Sequence, residues 1–231
     1  MTQFDIICVG DFMPIALHDK KLLKPGSSGW AVSDLNDPEV SQVWEHNRYE
    51  IIYGVIHDTP PAYFNHGESA FELLSITRTY LRSRGVKCRS STEVDLVVSE
   101  DLLLRVDGML IDQSQTLAQR RVQIEIGETS DELHRIRVAP LLVIESVSLG
   151  HESHDRSFKQ RVYAEFGIMN YWIVDAHRHT LDVLRLHNNA YTLDASGKER
   201  DVVRPGVFPG LELNLAEVFH LDDAGDEDGK N

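Results

Sequence analysis

Cysteine and long apolar runs are both scarce in this chain of 231 residues. It contains two cysteines, Cys8 and Cys88, which supply neither a disulfide framework nor the paired spacing of a zinc site. No apolar run reaches membrane-spanning length, and no signal peptide is recognisable. We therefore expect a cytoplasmic protein with no membrane partner.

Basic residues are also scarce. Against 37 aspartates and glutamates there are 23 lysines and arginines, so the formal net charge is −14. This charge excludes a global electrostatic attraction to nucleic acid and counts against a simple nucleic-acid-binding module. It does not exclude a metal-dependent nuclease, because bound cations reverse the local charge.

The most informative stretch is Pro140–Asp175, which predicts a strand, a loop, a helix and a second strand. Leu141–Ile144 is an apolar run, typical of a strand buried on both faces, and it ends at Glu145. A buried carboxylate needs a cation, a hydrogen-bond donor or a bound metal. The alternative, that Glu145 is a helix cap or a surface group, remains open from the sequence.

The predicted helix covers His154–Phe166, and Tyr171–Val174 forms the next predicted strand. Such a unit connects parallel strands, which returns Lys159 to the strand end that carries Glu145. Spacings of four residues place Asp155, Lys159 and Tyr163 on one stripe of the helix. An Asp155–Lys159 ion pair in solvent is the alternative interpretation.

A second carboxylate interrupts a predicted strand over Leu102–Ile111. Asp107 lies in the middle of this apolar run, and Gly108 after it suggests a bend or a close backbone approach. The alternative is a turn aspartate of a hairpin.

The rest of the chain gives weaker signals. We expect an extension over residues 1–31, one domain over 32–220 and a disordered acidic tail over 221–231. Further predicted elements are a strand over Tyr49–Ile56 bent at Gly54, a helix from Asn65 or Ser69 to Arg84, a strand over Val94–Val98, an edge strand over Arg121–Ile126, and strands over Thr180–Leu186 and Tyr191–Leu193.

With these residues in place, the sequence resembles the Uma-type restriction endonuclease family, within the PD-(D/E)XK nuclease superfamily. The resemblance covers roughly Val32 to Phe219. The motifs that carry it are Glu145-x-x-Ser148, Asp155-x-x-x-Lys159-x-x-x-Tyr163-x-x-x-Gly167, Tyr171-Trp-Ile-Val-Asp175, Tyr49-Glu50-Ile-Ile-x-Gly54 with His66, and Pro209-Gly-Leu-Glu-Leu.

The resemblance implies an α/β fold, with a restriction-endonuclease-like core of mixed sheet flanked by helices, and a metal-dependent endodeoxyribonuclease. Asp107 and Glu145 would bind Mg²⁺ or Mn²⁺, with the Ser146 carbonyl as a third ligand. Lys159 would be the catalytic lysine, since Val147 stands where the superfamily pattern has it. Supporting roles would fall to Glu50, Asp155 and Tyr163, and to His66, for which a structural role at the helix start is the favoured alternative. The partner would be DNA, and we expect a homodimer because Tyr171 and Trp172 form an apolar run.

Three departures from the family pattern keep other functions open. Val106-Asp107 and Pro140-Leu141 each replace a Pro-Asp, and Ser148-Leu-Gly150 replaces Ser-Pro-Ser. A binding or scaffolding module with a weakened or inactive site is therefore the alternative to an active enzyme. A nuclease for a non-duplex or modified substrate is a third interpretation.

Overall fold

A computed structural model describes residues 16–17, 21–59, 64–128, 133, 135–147 and 154–221. Side chains at 16–17, 21–22, 64–66 and 154–156 lie outside this description. The chain divides into two compact units, one made of residues 1–59 and 100–102 and the other of residues 60–99 and 103–231. The predicted extension, domain and tail remain predictions, and residues 1–15 and 222–231 lie outside the described part.

The first unit consists of short elements. A 3-10 helix, Val32–Asn36, buries Val32 and Leu35 and precedes α1. Helix α1 begins because the Asp37 carboxylate accepts the backbone N–H groups of Glu39 and Val40. The elements of this unit are β1 (Ala16–Leu17), β2 (Lys21–Leu22), α1 (Pro38–Glu45), β3 (Tyr49–Ile52) and β4 (Val55–Asp58).

The single strand predicted over Tyr49–Ile56 is wrong, because the structure has a hairpin there. Ile52 pairs with Val55 in antiparallel register. Tyr53 and Gly54 form the turn with φ values of 51° and 74°, the left-handed conformation that a two-residue hairpin requires. Tyrosine rarely occupies that conformation, so Tyr53 is a weak signal for a turn.

The second unit carries the larger sheet. Its elements are α2 (Phe64–Ser83), β5 (Cys88–Ser99), β6 (Leu102–Asp112), α3 (Gln113–Glu125), β7 (Arg135–Ile136), β8 (Leu142–Ser146), α4 (His154–Phe166), β9 (Asn170–Asp175), β10 (Thr180–His187), β11 (Ala190–Lys198), β12 (Val202–Val203), β13 (Leu213–Asn214) and α5 (Leu215–Val218).

The sheet of the second unit is mixed. Its strands follow the order β11-β10-β9-β8-β6, and β5 pairs with β6 and with β7. β8 and β9 are parallel, whereas β6 runs antiparallel to β8, and β10 runs antiparallel to both of its neighbours. The prediction that the strands at 102–111, 141–145 and 171–174 share one sheet is confirmed, and so is the α/β class.

The helix predicted over His154–Phe166 is confirmed with the same bounds. Gly167 ends it with a φ of 86°, and the backbone N–H of Ile168 donates to the Tyr163 carbonyl. The helix connects the parallel strands β8 and β9, as expected of the crossover. The Asn188-Asn189 turn, with φ values of 48° and 61°, connects β10 to β11.

The edge strand predicted over Arg121–Ile126 is wrong, because residues 121–125 lie in α3. The helix begins at a capping box in which Asp112 accepts the Gln115 backbone N–H, and the Gln115 side chain accepts the Asp112 backbone N–H. Its buried residues are Gln119 and Gln123, so the apolar period that reveals most helices is missing.

One face of this sheet packs against α2 and the closing segment around β12, β13 and α5. The core there includes Leu74, Leu110, Ile144 and Trp172. A Cβ atom on Gly108 would lie 3.1 Å from Leu74 Cδ1, so the helix packs closely on this strand, as the glycine suggested. No helix in the described part of the chain is long and apolar enough to cross a membrane.

Candidate active site

Glu145 lies near the end of β8, on the sheet face opposite this core, and is 7% exposed. Both carboxylate oxygens accept hydrogen bonds from side chains of α4. Lys159 Nζ lies 3.2 Å from Oε2, and the Tyr163 hydroxyl oxygen lies 2.5 Å from Oε1. The interpretation of Glu145 as a surface group is therefore wrong, and the carboxylate has the partners that its burial requires.

Asp107 lies on the neighbouring strand β6 and is half-buried. Gly108 pairs with Ile144 in the antiparallel register, so one further step brings Asp107 opposite Glu145. Opposite residues of such a pair lie on the same face of a sheet. The backbone N–H of Ser146 donates to Asp107 Oδ2 at 2.8 Å, which fixes the Asp107 carboxylate beside the end of β8. Because Asp107 is within a strand, the turn-aspartate interpretation is wrong.

Helix α4 supplies the charge that faces Glu145. Lys159 and Tyr163 lie one turn apart and are 9% and 0% exposed. The ammonium of Lys159 contacts the buried Glu145. The Asp155 side chain lies outside the description, so the alternative of an Asp155–Lys159 ion pair stays open. The lysine reaches the strand end from the helix, where the crossover was predicted to bring it.

A row of three tyrosine rings orients the hydroxyl that contacts Glu145. The Tyr163 and Tyr171 ring centroids lie 5.2 Å apart in an edge-to-face arrangement, and those of Tyr171 and Tyr191 lie 5.5 Å apart. The Tyr191 hydroxyl donates to the Ile168 carbonyl at 2.7 Å, and burial raises the pKa of this phenol. The outer end of the row is therefore fixed to the end of α4.

The formal charges of Asp107, Glu145 and Lys159 do not cancel among themselves. Asp107 and Glu145 carry two negative charges, and Lys159 carries one positive charge, which lies against Glu145. Asp107 accepts the Ser146 N–H through Oδ2, and its Oδ1 has no hydrogen-bond partner among the described residues. A cation near Asp107 would complete the neutralisation.

The donor set fits a hard divalent cation that keeps several waters. Mg²⁺ is commonly held by one or two carboxylates with water in its other positions, and Asp107 and Glu145 supply that number. No group of three or more histidine, cysteine, aspartate or glutamate side chains placed to hold a metal occurs in the described ranges. A closed protein cage of the zinc type is therefore not what these residues form.

Three further predicted site residues are Glu50, His66 and Asp155. Glu50 is on β3 of the first unit and is 4% exposed. His66 lies in the first turn of α2 and Asp155 in the first turn of α4, and both side chains are among those not described. The supporting roles of these three residues stay predictions.

Two contacts of the site were not anticipated. The sequence interpretation used the carbonyl of Ser146, whereas the described contact to Asp107 comes from its N–H group. A backbone donor leaves no trace in the sequence. The position of Tyr163 one turn after Lys159 indicated that its side chain lies near Glu145, but the hydrogen bond between them was not predicted.

The apolar pair Tyr171 and Trp172 is buried within the chain, at 1% and 0% exposure. The pair therefore contributes to the core and gives no support for a homodimer.

Comparison with solved structures finds proteins of similar fold. One is a protein from Anabaena variabilis ATCC 29413, whose crystal structure is described as that of a putative nuclease belonging to DUF820. The TM-score is 0.57 at 17% sequence identity, over 74% of this chain and 89% of that chain. This likeness confirms the restriction-endonuclease-like mixed sheet with flanking helices.

Comparison with curated proteins finds no match. Comparison with protein families matches residues 39–216, which is most of the chain. The chain therefore belongs to the family described as "Uma2: Putative restriction endonuclease".

Proposed function

We propose that this protein is a divalent-metal-dependent endonuclease that hydrolyses phosphodiester bonds in DNA. The observation that carries the proposal is the convergence of Asp107, Glu145 and Lys159 from β6, β8 and α4. Two carboxylates and a lysine are the minimal set for this chemistry in the superfamily that the sequence resembles.

In this proposal Asp107 and Glu145 hold Mg²⁺ or Mn²⁺, with the Ser146 carbonyl as a third ligand. The ion supplies positive charge to the scissile phosphate and lowers the pKa of the attacking water. Lys159 donates hydrogen bonds both to Glu145 and toward the reacting phosphate, where a fixed ammonium stabilises developing negative charge. Tyr163 keeps Glu145 in one orientation, so that the carboxylate need not reorganise during the reaction.

Binding of DNA must overcome the repulsion between its phosphates and a protein of net charge −14. The bound metal and Lys159 provide local positive charge at the site, and long-range repulsion between an acidic protein and DNA is screened beyond about 8–10 Å at physiological salt. We propose in addition a homodimer, since symmetric pairs suit the two strands of a duplex.

The decisive variant is Asp107→Asn. Asparagine keeps an oxygen that accepts the Ser146 N–H but loses the charge that attracts the metal. The matched control is Asp201→Asn, because the exposed Asp201 also accepts one backbone N–H, that of Lys198 at 3.0 Å. Melting temperature and plasmid nicking are measured for each protein with EDTA, Mg²⁺ and Mn²⁺.

We expect the wild type and Asp201→Asn to nick plasmid and to melt higher with metal. Metal at about 100 times its dissociation constant stabilises by about 2.7 kcal/mol, an increase of about 5–10 °C for a domain of this size. Asp107→Asn should lose nicking and the metal-induced increase while melting near the wild type in EDTA. A wild type that neither nicks nor responds to metal would overturn the proposal.

The second candidate function is a binding or scaffolding module. It is favoured by the Lys159 contact, which neutralises Glu145 without any metal. For such a module we expect no nicking activity. Metal should then leave the melting temperatures of the wild type and of Asp107→Asn unchanged.

A further inference from the structure

A cavity of about 200 Å³ opens on the second unit. Its floor is apolar, formed by Met109 and Ile111 of β6 together with Val94 and Ile136, and Arg89 and Ser91 of β5 stand at its rim. The volume lies below the range of about 300–1,000 Å³ typical of sites for drug-sized ligands, so the cavity suits a single small planar group.

The cavity lies on the same face of the sheet as the two carboxylates. Asp107, Met109 and Ile111 alternate along β6 and so project from one face, whereas Gly108 and Leu110 face the core with α2. At about 3.4 Å per residue, Met109 lies about 7 Å from Asp107 along the strand. This separation is comparable with the length of one nucleotide.

A distortion of β5 shapes the rim. Glu93 has a φ of 51°, the left-handed conformation that interrupts a regular strand. Arg89, Ser90 and Ser91 precede the distortion and Val94 follows it, and all four line the cavity. Serine hydroxyls and an apolar side chain of one strand therefore meet at the same opening.

The chemistry of the lining matches a nucleobase. Apolar side chains cover the faces of a ring, and the Met109 sulfur makes favourable contacts with aromatic rings. The Ser91 hydroxyl can donate to or accept from a base edge. Arg89 is exposed and makes no ion pair with any described residue, so its guanidinium is available to a phosphate or to the face of a base.

We propose that this cavity binds one unstacked base of the nucleic-acid substrate, next to the phosphate held at Asp107 and Glu145. The inference rests on the proposed nuclease function and narrows its substrate to single-stranded DNA, or to duplex DNA from which a base is extruded. The apolar floor then supplies binding energy that a protein of net charge −14 cannot draw from the phosphates alone.

The test measures binding of a fluorescein-labelled single-stranded DNA oligonucleotide by anisotropy, with Ca²⁺ as the metal and a gel to check that the DNA stays intact. Ser91→Trp fills the cavity from its rim. The matched control is Thr92→Trp, because Thr92 is exposed on the same strand and does not line the cavity. Arg89→Ala is paired with Arg185→Ala, which removes an exposed arginine of β10.

We expect Ser91→Trp to weaken binding by about fivefold to a hundredfold, the range for loss of one base contact, and Thr92→Trp to bind within twofold of the wild type. Abasic residues introduced one position at a time should weaken wild-type binding at one or two positions only. Ser91→Trp should lose this position dependence. Arg89→Ala should weaken binding and Arg185→Ala should not.

Equal binding by Ser91→Trp and the wild type, an abasic series without position dependence, or no binding by the wild type would each overturn the inference. The abasic series uses the wild type, so it decides the matter even if Ser91→Trp does not fold. Plasmid nicking separates the two proposals. Nicking with cavity-independent binding rejects only the base site, whereas cavity-dependent binding without nicking rejects only the nuclease.

Discussion

Glu145 and Lys159 form a buried ion pair, with side chains about one-tenth exposed and 3.2 Å between Oε2 and Nζ. From the sequence, Glu145→Gln is expected to leave stability unchanged or raise it if Asp107 and Glu145 bind metal, and to destabilise the protein if Lys159 is a structural counter-ion. The ion pair favours destabilisation, because glutamine leaves the buried ammonium without its partner charge.

We therefore expect Glu145→Gln to lower the free energy of unfolding by about 3 kcal/mol, the lower end of the range for breaking a buried pair. Urea unfolding measures the loss, and Glu165→Gln, an exposed glutamate of the same helix, is the control expected to stay within about 0.5 kcal/mol. The double variant Glu145→Gln with Lys159→Met should recover part of the loss. Equal stability of Glu145→Gln and the wild type would show that the pair contributes nothing.

At the residue scale, the sequence predicted which residues form the site better than it predicted the contacts between them. Lys159 was expected near Glu145 because a crossover helix of known length returns to the same strand end. The Ser146 N–H contact to Asp107 depends on the register of β6 against β8, which residue types do not encode. The base cavity was missed because β5 was predicted to begin at Val94, after the polar residues that form its rim.

Helix α3 packs with amide side chains where most helices use apolar ones. Gln119 is fully buried, and its amide spans two backbone groups. Its Nε2 donates to the Arg135 carbonyl at 2.9 Å, and its Oε1 accepts the Arg137 N–H at 2.7 Å. The side-chain amide of Gln115, one turn earlier in α3, donates to the Ala139 carbonyl at 2.8 Å. The helix thereby fixes the segment that leads into β8.

We expect Gln119→Met to destabilise the protein by about 2–6 kcal/mol, because two backbone groups lose their partner at about 1–3 kcal/mol each. Gln113→Met, at the exposed first residue of α3, is the matched control. Hydrogen exchange should show faster exchange of the Arg137 amide in Gln119→Met alone. Unchanged protection of that amide would contradict the role given to Gln119.

Because α3 buries amide side chains instead of apolar ones, it was missed, whereas elements with apolar patterns were predicted. The strands β6, β8 and β9 and the helices α2 and α4 carry apolar patterns that match their burial, and all were predicted. The buried positions of α3 are glutamines, so no apolar period marks it. The one signal was its capping box, Asp112 with Gln115, which precedes no apolar run.

At the scale of the whole molecule, the open question is assembly. Tyr171 and Trp172 are internal, so a homodimer needs another apolar surface. The outer face of α3 offers Leu117 and Ile124, which are seven residues apart on the same stripe and are 50% and 76% exposed.

We expect sedimentation at micromolar concentration to show a dimer for the wild type and a monomer for Ile124→Lys, because a charge in an apolar contact removes its driving force. Leu193→Lys is the control, since Leu193 is 60% exposed on β11. A wild type that sediments only as a monomer would count against the dimer.

The division into two units also distributes the fluorescence of the protein. The chain has three tryptophans, of which Trp30 and Trp44 lie in the first unit and Trp172 in the second, each buried at 3% exposure or less. Emission from the first two therefore reports on the first unit, and emission from Trp172 reports on the strand beside Glu145. Without any attached dye, one variant with Trp172→Phe and another with Trp30→Phe and Trp44→Phe would each leave emission from a single unit.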